Sequence, residues 1–395
     1  MELTRPGRPR RLAPSAGLNS PTWRSEEVAP SIVRVSIPRV RGYVNVYLIG
    51  SEGGWTLVDA GESIEPSRSA LLDFLERRGV LADGIDQIFL THGHRDHTGL
   101  VEELAATTGA TVVTHADSLR GDVFDLDFLA QHGLELGPSE KLGTQQLSEL
   151  APGAVRLVGP GDTVAAGPYR FSLLWTPGHQ RGHLCGFDAE SGILLAGDRV
   201  MRAPTGVGLC AATVNDPLAD HLSSYEILRD LPISAVLPGH GRVFESGREA
   251  LEIDRSTHLE DVRAILAVIP PQGVDAATLA QKIGLDEKVF GRPRGQESRA
   301  IAVGRALAVL RLLERRGMIW LDDSTVPYRF LRLDGDPLES DTSTSEAPRP
   351  VARLTKLSPR GSSPSSRGSE PGRPLPLLLQ RRQNPLPSLG VRAQS

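Results

Sequence analysis

The chain has 395 residues, 39% of them hydrophobic, 5% aromatic and 23% charged, which is ordinary for a globular protein and leaves room for about two domains. The formal charge of −4 is uneven: residues 1–30 carry +2, residues 347–395 carry +8, and the body between them carries −14. An acidic body excludes a surface made for nucleic acid throughout, although a local basic face stays open.

Two cysteines, Cys185 and Cys210, exclude a disulfide framework. They point to a reducing, cytoplasmic setting and read as core or near-surface thiols. No run of about 18 apolar residues exists, so no membrane span is expected. Arg10-Arg11 is a twin-arginine pair, but residues 12–17 are too short and broken for a signal core. Residues 1–30 therefore read as a solvated arm.

Residues 31–37, 44–49 and 55–59 read as strands, punctuated by Gly50, Gly53, Gly54 and Gly61. Residues 66–79 have helical spacing through Leu71, Leu72 and Leu75. A short apolar strand at 85–90 feeds Thr91-His92; a helix at about 98–108 and a strand at 110–114 follow. Residues 116–150 give few signals. Strands return at 155–158, 169–175 and 192–196. A helix at about 217–230 then leads to a strand at 235–237. This alternation over 31–250 predicts sheets flanked by helices.

The pattern becomes helical after 247. Helices are expected at 258–269, 276–283 and 297–316, the last stopped by Gly317. Short strands at 318–321 and 328–331 follow. Three helices and a β-ribbon over 251–333 suggest a winged-helix module. Residues 334–395, rich in Ser, Pro, Gly and Arg without periodicity, read as a disordered basic tail.

The sharpest motif is Thr91-His92-Gly93-His94-Arg95-Asp96-His97-Thr98-Gly99. It packs three imidazoles and a carboxylate into six residues on the turn after a strand, from which they can point inward together. Imidazole and carboxylate suit zinc, iron or manganese. Thr176-Pro177-Gly178-His179, Leu195-Ala196-Gly197-Asp198 and Leu237-Pro238-Gly239-His240-Gly241 each put one more ligand type after a strand, beside small residues.

The order HxHxDH, TPGH, strand-terminal GD and PGHG resembles the metallo-β-lactamase-fold hydrolase superfamily. Leu57-Val58-Asp59-Ala60-Gly61 matches that family's early strand and turn. The resemblance spans residues 59–241 and implies an α/β fold: a four-layer αββα sandwich with metals at one edge. It implies that His92, His94 and His179 hold one divalent metal ion, that Asp96, His97 and His240 hold a second, and that Asp198 bridges them. Asp59 would orient a ligand, and Asp96 would also pass a proton. The expected cofactors are two zinc ions, with iron or manganese as alternatives, and the expected reaction is hydrolysis by a hydroxide activated between the metals. No cysteine stands at a ligand position, unlike the common antibiotic-resistance enzymes of this fold.

The resemblance favours a small-molecule thioester, ester or lactone as substrate. The alternatives are a single-strand RNA endonuclease of the β-lactamase-like type and a non-catalytic binding module. Arg292, Arg294, Arg299, Arg305, Arg311, Arg315 and Arg316 are candidates for a basic stripe or a solvated helix face. A homo-oligomer stays open. His183 reads as a pocket-wall or core residue, His115 as structural, and His221 and His258 as helix-surface residues.

Overall fold

The computed structural model describes residues 23–39, 42–51, 54–120, 125–135, 147, 150–151, 153–207, 216–285 and 295–333. Cys210, Arg292, Arg294 and the expected basic tail lie outside them.

The first sheet runs β1(Arg24–Ala29), β2(Ile32–Pro38), β3(Tyr43–Ser51), β4(Gly54–Val58), β5(Ile85–Phe89), β6(Thr111–Thr114) and β7(Val155–Leu157), adjacent in chain order. It is antiparallel up to β4 and parallel from β4 to β7. Helices α1(Ser67–Arg77), α2(Val80–Asp83), α3(Arg95–Thr98) and α4(Val101–Thr108) lie between its strands in sequence. The second sheet has the order β12(Ala235–Pro238), β11(Ile193–Gly197), β10(Leu184–Asp188), β9(Tyr169–Trp175) and β8(Thr163–Ala166), with β11 and β12 parallel. α5(Leu126–Gln131) precedes it in the chain, and α6(Pro217–Leu228) joins β11 to β12.

Strand alternation sorts residues into layers. Val44, Val46 and Leu48 of β3 face α1 and α4 through Leu71, Phe74, Leu75 and Leu104. Their neighbours Tyr47 and Ile49 face the second sheet through Phe171, Leu173 and Leu195. Beyond that sheet, Leu194, Ala196 and Val236 pack on Tyr225 and Leu228 of α6 and on Leu251. Helix, sheet, sheet, helix is the expected αββα order.

A fourth core belongs to α7(Gly247–Val268), α8(Ala276–Lys282), α9(Gly295–Arg315) and the hairpin β13(Ile319–Asp322)–β14(Arg329–Arg332). Val262, Ile265, Leu279, Leu307, Leu310, Leu313 and Phe330 fill it, together with Phe128 of α5 and Leu218 of α6. The described residues therefore form one compact unit.

Several expectations need correction. The arm ends earlier than expected: Arg24–Ala29 pairs with β2, and Trp23 donates to Asp73 (2.8 Å) while packing edge-on against Phe74. Strands β8 and β10 had no signal. All five residues of β10 are buried, so apolar–polar alternation cannot appear in it. Of the five described arginines of the candidate stripe, Arg299, Arg315 and Arg316 are exposed, as a solvated face requires, whereas Arg305 is largely buried and Arg311 pairs with Glu314 (3.1 Å). No helix among the described residues is long and apolar enough to cross a membrane.

Candidate metal centre

β5 ends two residues before Thr91, and the chain then turns through His92 and His94 into the single-turn helix α3, which carries Asp96 and His97. His179 follows β9, Asp198 follows β11 and His240 follows β12. Both sheets thus deliver side chains to one edge. The seven expected ligands meet there as three overlapping triads: His92, His94 and His179; His92, His97 and Asp198; Asp96, His97 and His240.

His94 Nδ1 lies 3.0 Å from His92 Nε2 and 2.9 Å from His179 Nε2. Asp96 Oδ2 lies 3.2 Å from His240 Nε2 and 3.6 Å from His97 Nε2. Asp198 reaches both groups, with Oδ2 3.5 Å from His179 and 3.3 Å from His240, and Oδ1 3.5 Å from His97. That is the position a bridging carboxylate needs.

The other ring nitrogens fix the tautomers. His179 Nδ1 donates to the Gly206 carbonyl (2.8 Å) and His240 Nδ1 to the Tyr43 carbonyl (2.7 Å). A carbonyl can only accept, so each Nδ1 carries a proton and each Nε2 is the atom turned toward the cluster. His97 Nδ1 faces Asp59 Oδ2 at 2.8 Å. Asp59 also accepts from Thr91 N–H (2.9 Å) and Oγ1–H (2.9 Å), and Thr91 Oγ1 lies 3.0 Å from His92 Nδ1. Asp59 thereby orients two imidazoles.

Two buried atoms, His97 Nε2 and Asp198 Oδ1, find no hydrogen-bond partner. Orphaned buried polar atoms are costly, and a cation among the convergent donors would satisfy both. The donor set therefore fits a metal pair. Burial would push the His97 imidazole down, but Asp96, Asp198 and Asp59 hold it well above its usual value. Burial would likewise lower His240, but Asp198 and Asp96 outweigh it and raise the group to about 10. Burial and then the His94 charge lower His179 to about 4.

Packing explains the small residues beside the ligands. A Cβ on Gly239 would stand 2.2 Å from Asp198 Oδ1 and 2.8 Å from His97 Cε1. The loop it belongs to is fastened across the sheets. Asn45 Nδ2 donates to the Pro238 and Gly241 carbonyls (2.9 and 2.8 Å), Tyr47 Oη–H to Pro238 (2.7 Å) and Arg34 to Gly241 (2.6 Å).

Sequence reasoning missed these fasteners, although a polar Asn45 on the core-facing side of β3 was a usable signal. It also missed Arg39, whose Nη1 reaches Asp96 Oδ2 at 2.5 Å and whose Nε reaches Glu62 at 3.7 Å. His183 is a core residue. Its Nε2 accepts the backbone N–H of Asp198 at 3.2 Å. His115 caps a turn through Asp117 N–H (3.2 Å) and stacks on Trp175. His221 is fully buried and His258 half-buried, which corrects the expectation that they are surface residues. Cys185 is buried beside Thr176, its thiol pushed up by burial to about 11.

Residues 39–240 match the family model of the metallo-beta-lactamase superfamily. The probable metallo-hydrolase YqjP of Bacillus subtilis (strain 168) is 26% identical over 264 residues, covering 59% of this chain and 79% of its own length. The acyl-coenzyme A thioesterase MBLAC2 of Gallus gallus is 28% identical over 214 residues, covering 52% and 74%. The crystal structure of TTHA1429, a metallo-beta-lactamase family protein from Thermus thermophilus, superposes with a TM-score of 0.65 at 26% identity, covering 78% of this chain and all of that one. That likeness reaches past the matched family segment into the C-terminal helices. With motifs, fold and site geometry in agreement, the chain belongs to the metallo-beta-lactamase superfamily and is a hydrolase of that fold.

Proposed function

We propose that this hydrolase cleaves a small-molecule thioester, ester or lactone, with thioesters first, using two zinc ions. His92, His94 and His179 would hold one ion and Asp96, His97 and His240 the other, with Asp198 shared between the two groups. The observation that carries the reading is the placement of Asp198 within 3.5 Å of nitrogens from both groups. When bound, such a pair would lower the pKa of a water toward neutrality and provide positive charge for the acyl oxygen.

The chain's residues do the rest. Asp59 keeps His97 in one tautomer and steadies Thr91 beside His92. Burial would raise the Asp96 carboxyl, but the His97 charge, the His240 hydrogen bond and the Arg39 charge outweigh it and hold the group below its usual range. Asp96 accepts a proton from the attacking water and returns it to the leaving group. The thioester preference is supported by the relative named as an acyl-coenzyme A thioesterase. We read α7 to α9 with the β13–β14 hairpin as a winged helix serving as a wall of the enzyme. Arg305 is largely buried and Arg311 is paired with Glu314, so the arginines of the long helix form no continuous basic face for RNA among the described residues.

The test is a screen of the zinc-loaded full chain against acyl-coenzyme A thioesters, esters, lactones and unstructured RNA. Thioester turnover abolished by a chelator is the expected result. RNA cleavage with no acyl hydrolysis would overturn the reading.

A further inference from the structure

A second buried network lies behind the centre, built around Asp254 of α7. Asp254 Oδ1 accepts the backbone N–H of Thr205 (2.7 Å) and its Oγ1–H (2.9 Å). Oδ2 accepts Arg199 Nη1 (3.1 Å) and His221 Nε2 (2.6 Å). One turn further along α7, His258 Nε2 donates to the Thr205 carbonyl (3.1 Å). Thr205 is thus held at its amide, hydroxyl and carbonyl. The next carbonyl, Gly206, is the one that takes the proton of His179 Nδ1. One peptide separates this clamp from a ligand imidazole.

The network reaches the centre by two further routes. Arg199 follows Asp198 directly, is fully buried, and also donates to the His221 carbonyl (2.9 Å). Gly178, which precedes His179, lies flush on α6: its φ is +122°, and a Cβ there would stand 2.4 Å from His221 Cα. Ser224 of the same helix donates to the Pro177 carbonyl (2.6 Å). Segments 176–179 and 198–206 therefore rest on one support formed by α6 and α7.

His221, Asp254 and His258 also have the spacing of a metal triad. Arg199 argues against that use. Its guanidinium already provides the countercharge on Asp254, and both imidazoles donate to oxygens instead of presenting lone pairs to a common point.

We propose that Asp254 is the positioning residue for the ligands His179 and Asp198, acting through Thr205, Gly206 and Arg199, so that the C-terminal helices set the affinity of the metal bound by His92, His94 and His179. This rests on reading the seven-residue cluster as the metal centre. It goes beyond that reading by assigning a role to α7, which contributes no ligand.

The test uses the full chain, stripped and reloaded with zinc or cobalt(II). Thr205→Val and His258→Ala remove single contacts, and Asp254→Asn removes the charge. Affinity is read by competition with a chromophoric chelator, and ligand geometry by the cobalt(II) absorption spectrum. Folded Thr205→Val and His258→Ala should lose roughly 10- to 100-fold in affinity for the ion of His92, His94 and His179, with an altered cobalt spectrum, and Asp254→Asn, which also releases Arg199 beside the shared ligand Asp198, should weaken both ions. Wild-type affinities and spectra in all folded variants would overturn the proposal, and the two milder substitutions decide it should Asp254→Asn fail to fold. Wild-type protein that takes up no metal would overturn this proposal and the functional reading together. Wild-type protein that binds two ions without hydrolysing any acyl substrate would overturn only the functional reading.

Discussion

His97 Nδ1 and Asp59 Oδ2 lie 2.8 Å apart with both side chains closed off from solvent, although 38 residues separate them in the chain. Asp59 stands in the left-handed region at φ 62°, directly after β4, and the parallel pairing of β4 with β5 brings it under Thr91. A carboxylate there has one task that no neutral group matches: it accepts from an imidazole and from Thr91 at once. Asp59→Asn keeps the shape but turns a donor toward one of these partners. Zinc affinity should fall by roughly 10- to 100-fold while the far-ultraviolet dichroism stays native. Unchanged zinc affinity in the variant would show that Asp59 orients nothing.

Gly239→Ala should injure the centre through volume alone. Its φ is not in the left-handed region, so the backbone tolerates alanine, but the new methyl would collide with Asp198 Oδ1 and His97 Cε1. Either Asp198 moves or the loop lifts away with His240, and both displace ligands of the proposed second ion. Hydrolysis by the loaded enzyme should drop at least about tenfold, as misplacement by an ångström does elsewhere. Gly159→Ala is the control, because nothing lies within 4 Å of its added methyl. Equal activity of the two variants would refute the steric argument.

How much of this was legible depended on how local the signal was. His92, His94, Asp96 and His97 are packed within six residues, and His179, Asp198 and His240 each sit behind a strand and a small residue, so residue type and local context sufficed. The helices and hairpin after 247 were legible where one-sided burial leaves a period of 3.6 or 2 in the sequence, although the first half of α7, from Gly247 to Thr257, was not read as helix. β10 was not, since burial on both faces erases the alternation. His221 read as a surface position because its burial comes from α7, 33 residues further on at Asp254, and no local pattern encodes that contact. Arg39, Asn45 and Tyr47 were missed for the same reason, as their partners lie between 57 and 201 residues away.

The C-terminal helices share a core with α5 and α6, which predicts cooperative unfolding with the sandwich. Leu310 is fully enclosed among α9, α7 and their neighbours. Leu310→Ala should cost about 2–5 kcal/mol in lost transfer energy and residual cavity. Dichroism, reporting mainly helix, and tryptophan fluorescence, reporting largely on Trp23, Trp55 and Trp175 outside the C-terminal helices, should shift together to lower urea. An early transition seen by dichroism alone, followed by an unshifted fluorescence transition, would show that the helices unfold by themselves.

Acid should destabilise the fold through the network behind the centre, and His221 allows the sign to be worked out. It faces Arg199 from the chain after β11 and Asp254 and His258 from α7. Burial, and then the Arg199 charge, lower its pKa to about 3, against an ordinary value near 6.5. The folded protein therefore keeps His221 neutral where the unfolded chain binds a proton. Stability is complete above about pH 6.5 and is lost as pH falls from there toward 3, at up to about 1.4 kcal/mol per pH unit for this one proton. Burial would raise Asp254, but its hydrogen bonds from His221 and His258 and the Arg199 charge outweigh that and depress it, so it adds a further loss below about pH 4. His221→Gln keeps a side-chain donor for Asp254 and removes the titration. Urea midpoints measured from pH 7 to 4 should then fall less steeply for the variant than for the wild type, by close to one proton's worth of slope. Parallel curves for the two proteins would mean that His221 titrates normally within the fold, and the enclosure described for it would be wrong.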